Sequence, residues 1–151
     1  MATRTRPAAE AMARVLVLKR AFDANPNVVF AAWTSEERLL RWFGMDSCMI
    51  DARAGGMFRF ALRFPDGADR WVRGNYLEVV DGERIVFTSA EEDRNGAPGH
   101  ETLVTVTLIE QEGRTFLTLH QAVFESLAQR DAQEAEWIAS LDRLAAMITS
   151  E

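Results

Sequence analysis

Acid–base, nucleophilic and metal chemistry each need particular side chains at particular spacings, and this chain of 151 residues offers few of them. His100 ends a glycine-containing loop, with Glu101 beside it and Asp93 upstream, but the three residues have no metal-ligand spacing. His120 alternates with apolar neighbours, which favours the solvent side of a strand. No nucleophile-elbow, zinc-protease, phosphate-loop or dinucleotide motif occurs. We therefore predict no metal site and no bound cofactor.

The single cysteine, Cys48, adds no nucleophile of its own. It has no histidine near it in sequence, and it lies in a strand-like segment, where a lone cysteine usually acts as a small buried hydrophobic residue. One cysteine cannot form an internal disulfide, in agreement with a reducing compartment.

Length and composition favour one soluble domain. With 48% hydrophobic and 26% charged residues, the chain is long enough for one core and short for two. Its apolar runs fall short of the roughly 18 residues of a membrane span, and residues 1–13 lack the apolar core of a secretory signal. The net charge of −6, without a block of Lys or Arg, disfavours nucleic acid as a partner. We expect a cytoplasmic protein with a flexible N-terminal segment over residues 1–13 and a single domain over residues 14–151.

Turn and capping signals divide the chain into strands and three helices. Asn25 can cap a helix that starts at Pro26, and a capping box of Thr34 and Glu37 predicts a second short helix that stops at Gly44. A helical period predicts one long helix at the end, from about residue 125 to 149. Alternating apolar residues predict an antiparallel meander of strands over residues 14–23, 47–53, 57–64, 70–80, 84–90, 102–110 and 114–123.

One face of the predicted sheet is apolar and must be covered. Phe58 and Phe60 alternate with Arg59 and Arg63, which is the pattern of a sheet with one wet face. The long helix covers a strip of the apolar face with Trp137, Leu141, Leu144 and Ile148, beside Ile138 and Ala145. Because one helix covers only a strip, we expect the sheet to curl around it and the short helices to act as a wedge, anchored by Leu39, Leu40, Trp42 and Phe43.

Several segments together resemble a known family. They are F-D-A-N-P-N-V-V-F-A-A-W-T (22–34), R-W-F-G (41–44), D-A-R-A-G-G-M-F-R-F (51–60), P-D-G (65–67), G-N-Y-L-E-V (74–79), R-I-V-F-T (84–88) and S-L-D-R-L (140–144). With the order of elements, they resemble the START-like or SRPBCC superfamily, the helix-grip fold of the major birch pollen allergen. Within it the likeness is to the heat-shock protein 90 ATPase activator homologue (AHSA1-like) family, often labelled polyketide cyclase-like in bacteria.

The resemblance implies a fold and a place for a ligand. The fold is α+β, with a curved antiparallel sheet of about seven strands wrapped on a long C-terminal helix and two short helices after strand one. A cavity is expected between the sheet and the long helix. One residue departs from the family pattern, because bacterial members often show Gly-Trp where this chain has Glu136 and Trp137.

Strand parity indicates what would line such a cavity. The face of Phe58 continues through the meander to Tyr76 and Glu78, and the lining is mostly apolar. A small polar group that includes Arg130 and Glu134 precedes the apolar stripe of the long helix, although these two could instead form an intrahelical pair in solvent. The predicted ligand-binding residues are Phe58, Phe60, Leu62, Tyr76, Phe87, Ser89, Val104, Leu117, Leu119, Gln121, Arg130, Glu134 and Trp137.

Three functions fit these expectations. The first is binding of a small apolar or amphipathic molecule in the cavity. The second is an enzyme of the cyclase, dehydratase or hydrolase kind, in which Tyr76, Glu78 or Glu134 would act as acid, base or orienting group and a carboxylate with a raised pKa would be the sign. The third is a co-chaperone-like interaction module with a chaperone or a second copy as partner, for which an exposed apolar patch near Trp71 would be the sign.

Overall fold

One antiparallel sheet forms the body of the molecule. The computed structural model describes residues 14–63 and 69–150, so the predicted flexible segment and the predicted turn at residues 65–67 lie outside the described residues. Within that part of the chain, seven strands follow the order β1-β7-β6-β5-β4-β3-β2, which leaves β1 and β2 at the edges and confirms the predicted meander. The strands are β1 (Leu16–Phe22), β2 (Met45–Ile50), β3 (Met57–Arg63), β4 (Asp69–Val80), β5 (Arg84–Glu91), β6 (Thr102–Gln111) and β7 (Arg114–Ala122).

Two short helices follow β1, as predicted: α1 (Pro26–Thr34) and α2 (Glu36–Trp42). Asn25 caps α1, and its side chain accepts a hydrogen bond from the backbone N–H of Val28 at 3.1 Å. Gly44 follows α2 with a φ of 76°, the left-handed conformation that ends many helices and that glycine adopts without strain. Both predicted boundary signals are therefore confirmed.

The N-cap of α2 is Ser35 and not the predicted Thr34. The Ser35 side chain accepts a hydrogen bond from the backbone N–H of Arg38 at 3.3 Å. Thr34 is the last residue of α1, and its hydroxyl donates to the carbonyl oxygen of Phe30 at 3.0 Å. Because Thr34 is already helical, it cannot take the extended backbone that an N-cap needs.

The wedge formed by α2 is anchored by fewer residues than predicted. Leu39 and Trp42 are buried, and the indole N–H of Trp42 donates to the carbonyl oxygen of Ala32 at 2.8 Å, which ties α2 to α1. Phe43 is half-buried. Leu40 is 38% exposed, because it is next to Leu39 around a helix whose other face is already against the core.

The long helix α3 (Leu127–Ser150) runs along the inner face of the sheet and buries the predicted stripe of Trp137, Leu141, Leu144 and Ile148. Ile138, predicted beside the stripe, is 46% exposed, and the buried stripe widens on its other side, to Ser140 and Met147. A helix turns by about 100° per residue, so Ile138 points away from the side that meets the core. The stripe was predicted correctly, and its width on that side was not.

A β-bulge in β4 changes the face of one predicted site residue. Tyr76 pairs with Phe87 across the strands, but Glu78 pairs with Val86, so the register shifts by one residue between them. A one-residue shift moves a side chain to the opposite face of the sheet. Glu78 is therefore on the outer face, where it accepts a hydrogen bond from Nε of Arg84 at 3.1 Å. The prediction that Glu78 faces the cavity is wrong for this reason.

Candidate functional site

A cavity of about 660 Å³ lies between α3 and the inner face of the sheet. Its inner end is made of buried and half-buried side chains, and it opens to solvent at a mouth whose residues are exposed. Two parts of its lining differ in chemistry. The aromatic wall consists of Phe43, Phe58, Phe60, Tyr76, Phe87 and Trp137, and the cavity mouth consists of Arg70, Glu91, His100, Ala132, Glu136 and Ala139.

The aromatic wall is one connected set of rings. Phe58 is central, with ring centroids 5.7 Å from Phe60, 5.5 Å from Tyr76 and 5.5 Å from Phe87. Gly74 lies opposite Phe58 on β4 and makes room for its ring, since a Cβ atom at Gly74 would lie 2.6 Å from that ring. The alternation in β3 and β4 therefore supplies both the rings and the gap that seats them.

The hydroxyl of Tyr76 lies within this apolar surrounding and stays protonated. Burial raises the pKa of Tyr76 well above its usual range, and the negative charges of an ionised Cys48 and of Asp51 would raise it further. At neutral pH this hydroxyl is thus a hydrogen-bond donor and not a base.

A line of polar side chains crosses the apolar lining from the interior to the mouth. The Gln121 carbonyl oxygen accepts from the indole N–H of Trp137 at 2.8 Å, and its amide nitrogen donates to the Thr102 hydroxyl at 3.0 Å and to Oε1 of Gln133 at 3.4 Å. The Gln133 amide in turn donates to Oε2 of Glu136 at 3.1 Å. Gln121 is buried, and these bonds satisfy its amide and orient it.

Glu136 brings a carboxylate to the mouth of the cavity. Partial burial raises the pKa of Glu136, the nearby charge of Glu91 raises it further, and Arg70 acts in the opposite direction. Arg70 is itself 3.7 Å from Oε1 of Glu91. The guanidinium of Arg70 is therefore close enough to interact with both carboxylates of the mouth, Glu91 and Glu136.

Arg143 joins the long helix to the wedge at another part of the lining. Its Nε donates to the carbonyl oxygen of Trp42 at 2.8 Å, and its Nη2 donates to Oγ of Ser140 at 3.0 Å and to the carbonyl oxygen of Phe43 at 3.4 Å. These carbonyls end α2 and have no partner further along the helix, so a cation there is well placed.

Eight of the thirteen predicted ligand-binding residues lie in the cavity lining. These are Phe58, Phe60, Leu62, Tyr76, Phe87, Ser89, Gln121 and Trp137. Whether they bind a ligand stays a prediction. Val104, Leu117 and Leu119 are fully buried in the core and are not in the cavity lining.

Arg130 and Glu134 lie outside the cavity lining. Nε of Arg130 donates to the carbonyl oxygen of Val15 at 3.3 Å, and its Nη1 donates to Glu134 at 3.2 Å and to Asp131 at 3.0 Å. They continue the stripe of Trp137, but near the start of α3 that stripe faces the beginning of β1. Tyr76 is thus the one catalytic candidate of the sequence analysis that lies in the cavity.

Sequence reasoning missed the charged residues of the lining: Arg70, Glu91, Glu136 and Arg143. One signal was present in α3, where residues 129, 133, 136, 140 and 143 repeat at helical spacing and are all polar. Arg70 also shares strand parity with Val72 and Tyr76. Glu136, noted as a departure from the family pattern, proves to be a lining residue.

The other residues singled out from the sequence have no catalytic arrangement. His120 is exposed, as predicted. Burial, together with the charge of Glu36, raises the pKa of the Cys48 thiol to about 11, so it is not a thiolate nucleophile at neutral pH. His100 lines the mouth and its Nε2 contacts the carbonyl oxygen of Val123. Residues 14–63 and 69–150 contain no cluster of three or more potential metal ligands and no helix that is long and apolar enough to cross a membrane.

An open antiparallel sheet, a long C-terminal helix across its inner face and a cavity between them define a helix-grip protein of the START-like (SRPBCC) class. The model of the family described as Activator of Hsp90 ATPase homolog 1-like protein matches residues 23–149, and the chain belongs to this family. The resemblance read from the sequence is thereby confirmed.

Solved structures agree with this assignment. A crystal structure of a Rhodobacter sphaeroides protein is 28% identical, with a TM-score of 0.77, over 92% of this chain and 95% of that chain. The AHSA1 protein from Silicibacter pomeroyi is 24% identical, with a TM-score of 0.78, over 89% of this chain and 97% of that chain. A protein in the dynemicin biosynthetic locus is 21% identical, with a TM-score of 0.75, over 90% of this chain and 47% of that chain. The last two show the fold alone, and a search of curated proteins finds no match.

Proposed function

We propose that the protein binds a small, largely apolar molecule in the cavity between the sheet and α3. The observation that carries the proposal is the cavity itself, about 660 Å³ in volume and lined by the aromatic wall at its inner end. Ligand sites commonly measure roughly 300–1,000 Å³ and combine an apolar lining with a few fixed polar groups. Here hydrogen bonds fix Gln121 and Thr102, and the Tyr76 hydroxyl is a further polar group.

The ligand expected from this lining is amphipathic. Its apolar part would replace water against the aromatic wall, which is favourable at about 25 cal/mol for each Å² of apolar surface removed from water. Its polar part would lie toward the cavity mouth, where the side chains are charged and exposed. A molecule that is polar throughout would find few hydrogen-bond partners at the apolar inner end and would bind weakly there.

The direct test is mass spectrometry of the natively purified protein for a co-purifying small molecule, followed by thermal shift against a metabolite panel. A ligand present at 100 times its dissociation constant adds about 2.7 kcal/mol to the free energy of unfolding. If no molecule co-purifies and no panel compound shifts the melting temperature, the proposal is wrong.

Two matched variants show whether binding occurs in the cavity. Ala139 and Ala135 are both exposed residues of α3, but only Ala139 is in the cavity lining. Ala139→Trp places a large side chain at the mouth and is expected to weaken binding roughly tenfold or more. Ala135→Trp is expected to leave the dissociation constant unchanged in calorimetry. Equal effects of the two variants would locate the ligand elsewhere.

Catalysis in the same cavity is a second candidate function, favoured by one observation. The cavity contains both a protonated tyrosine, Tyr76, and a carboxylate with a raised pKa, Glu136. Each of these groups suits an acid–base step of a cyclase, dehydratase or hydrolase. If this candidate is right, compounds that bind are chemically changed on incubation, and Tyr76→Phe retains binding but loses turnover. Recovery of every bound compound unchanged would count against it.

A protein-interaction function stays a prediction. The family description refers to activation of an Hsp90 ATPase, and an exposed apolar patch near Trp71 was the expected sign of such a role. Trp71 is half-buried, with the guanidinium of Arg59 at 3.9 Å from the centroid of its ring. Arg59 therefore covers part of the Trp71 ring, and no homodimer or chaperone partner is proposed.

A further inference from the structure

We infer that the ligand carries a positively charged nitrogen that binds the Glu136 carboxylate at the cavity mouth, while its apolar part lies against the aromatic wall. This inference rests on the binding function proposed above and adds the charge of the ligand. Three observations lead to it: the position of Glu136, the charges around it and the nature of the lining beyond it.

The position of Glu136 makes its carboxylate available to a ligand. It lies on the face of α3 that lines the cavity, and its residue is exposed through the mouth. Gln133 donates a hydrogen bond to Oε2, which orients the carboxylate. Among the side chains that the structure describes, Glu136 has no ion pair, whereas Glu92, Glu78 and Glu134 pair with Arg59, Arg84 and Arg130.

The charged side chains of the mouth are two carboxylates and one guanidinium. Glu91 of β5 is the nearest like charge, and Arg70 of β4 lies 3.7 Å from Glu91, so its charge serves both carboxylates. Arg143 is two turns away, about 10 Å along α3, and its donors go to the carbonyl oxygens at the end of α2 and to Ser140. A ligand ammonium would thus form with Glu136 the direct ion pair that Arg70 and Arg143 do not form with it.

The lining beyond Glu136 is compatible with a cation at the mouth and an apolar group inside. Apolar surface fills the inner end, so a ligand that enters it is held with its polar end at the mouth. The faces of aromatic rings also attract cations. An anionic head group would meet Glu136 and Glu91 together and would be repelled.

The charge preference should depend on pH through Glu136. Burial and Glu91 raise its pKa, whereas Arg70 opposes the shift. The other charged or titratable groups of this lining are Tyr76, His100 and Arg143. Acidification through the raised pKa of Glu136 neutralises its carboxylate. The advantage of a cationic ligand should therefore be present near neutral pH and be lost as the pH falls.

The test uses three probes with one indole ring and three head groups: tryptamine (cationic), tryptophol (neutral) and indole-3-acetate (anionic). Dissociation constants are measured by calorimetry on the full chain at neutral pH. We expect tryptamine to bind about tenfold tighter than tryptophol, as for a charge-assisted contact, and indole-3-acetate to bind weakest.

The matched variants are Glu136→Gln and Glu134→Gln, two residues apart on α3 but only the first in the cavity lining. Glu136→Gln should remove the preference for tryptamine and leave tryptophol affinity nearly unchanged, whereas Glu134→Gln should change neither. A melting curve confirms that each variant folds.

The possible failures are distinguishable. If tryptophol or indole-3-acetate binds as tightly as tryptamine and Ala139→Trp abolishes that binding, the cavity binds ligands and the inference about charge is wrong. A preference for tryptamine that survives Glu136→Gln also overturns it. If none of the three probes binds, the inference fails for this class of ligand, and the metabolite panel decides separately whether the binding function stands.

Discussion

Val123 is the residue with the clearest local strain, and it lies where the chain leaves the sheet for the helix that covers the cavity. Its φ is 66°, a left-handed conformation that is a genuine outlier for a β-branched residue. The segment predicted as a strand to residue 123 ends at Ala122 for this reason. The carbonyl oxygen of Val123 contacts His100, so this strained residue borders the cavity mouth.

Replacing Val123 with glycine should stabilise the protein. Val123 is 59% exposed and contributes little burial, whereas its left-handed backbone costs roughly 1–2 kcal/mol that glycine does not incur. The greater conformational entropy of glycine in the unfolded chain offsets part of this gain. We therefore expect Val123→Gly to raise the free energy of unfolding, measured in urea, by about 1 kcal/mol. The control is Val17→Gly, at an exposed position of β1, which should destabilise. If both variants lose a similar free energy of unfolding, the backbone of Val123 is not strained.

At the scale of elements, one ion pair on the outer face ties β3 to the end of β5. Nε of Arg59 donates to Oε2 of Glu92 at 2.7 Å and Nη2 donates to Oε1 at 2.8 Å, a bidentate pair. The Glu92 side chain is 3% exposed, and the same guanidinium lies over the ring of Trp71. At this place on the outer face the strands are joined by an ion pair and a cation–π contact, whereas the inner face is joined by apolar packing.

This pair predicts a specific dependence of stability on pH. The hydrogen bonds and charge of Arg59 hold the pKa of Glu92 below its usual range. A lowered pKa in the folded state contributes stability above the unfolded value, about 4.3, and that contribution is lost as the pH falls through the folded value. Arg59→Met should therefore be less stable than the parent protein at neutral pH, and the difference should shrink to nothing in acid.

The measurement is urea unfolding from about pH 2.5 to 7 on the parent protein and on Arg59→Met. Arg53→Met serves as the control, because the Arg53–Asp51 pair is exposed on both sides. A difference for Arg59→Met that is constant across the pH range would show that its packing on Trp71, and not the charge of Glu92, carries the effect.

At the scale of the whole molecule, the cavity exists because sheet, wedge and long helix meet without filling the space between them. The core fills the space along one face of α3, where Leu141 and Leu144 are buried. On the adjacent face the side chains that line the cavity are mostly polar, and Arg143 connects α3 to α2. The stability of the cavity walls therefore depends on contacts between elements that are distant in sequence.

Removing the Arg143 connection should loosen α2 against α3. Arg143→Met keeps much of the apolar side chain but leaves the carbonyl oxygens of Trp42 and Phe43 without their donor. We expect a loss of about 1–2 kcal/mol in the free energy of unfolding and faster amide hydrogen exchange in α2. Arg20→Met, which breaks an exposed ion pair between β1 and Asp142 of α3, should cost less and leave exchange in α2 unchanged. Unchanged exchange in both variants would rule out Arg143 as the connection.

The sequence by itself determined the elements and the faces they present. Alternation fixed Phe58 and Phe60 on the inner face, the helical stripe fixed Leu141 and Leu144 in the core, and Asn25 and Gly44 marked helix ends, because each signal depends on backbone geometry within a few residues. The family followed from the same segments in order.

The tertiary structure alone decided which charged groups meet in the cavity. A bulge after Tyr76 turned Glu78 outward, and the gap between α3 and the sheet fell beside Glu136 and not beside Arg130 or Glu134. Neither outcome can be read locally, because a bulge shifts every later side chain of its strand and the face of a helix that borders a gap depends on how distant strands pack against it.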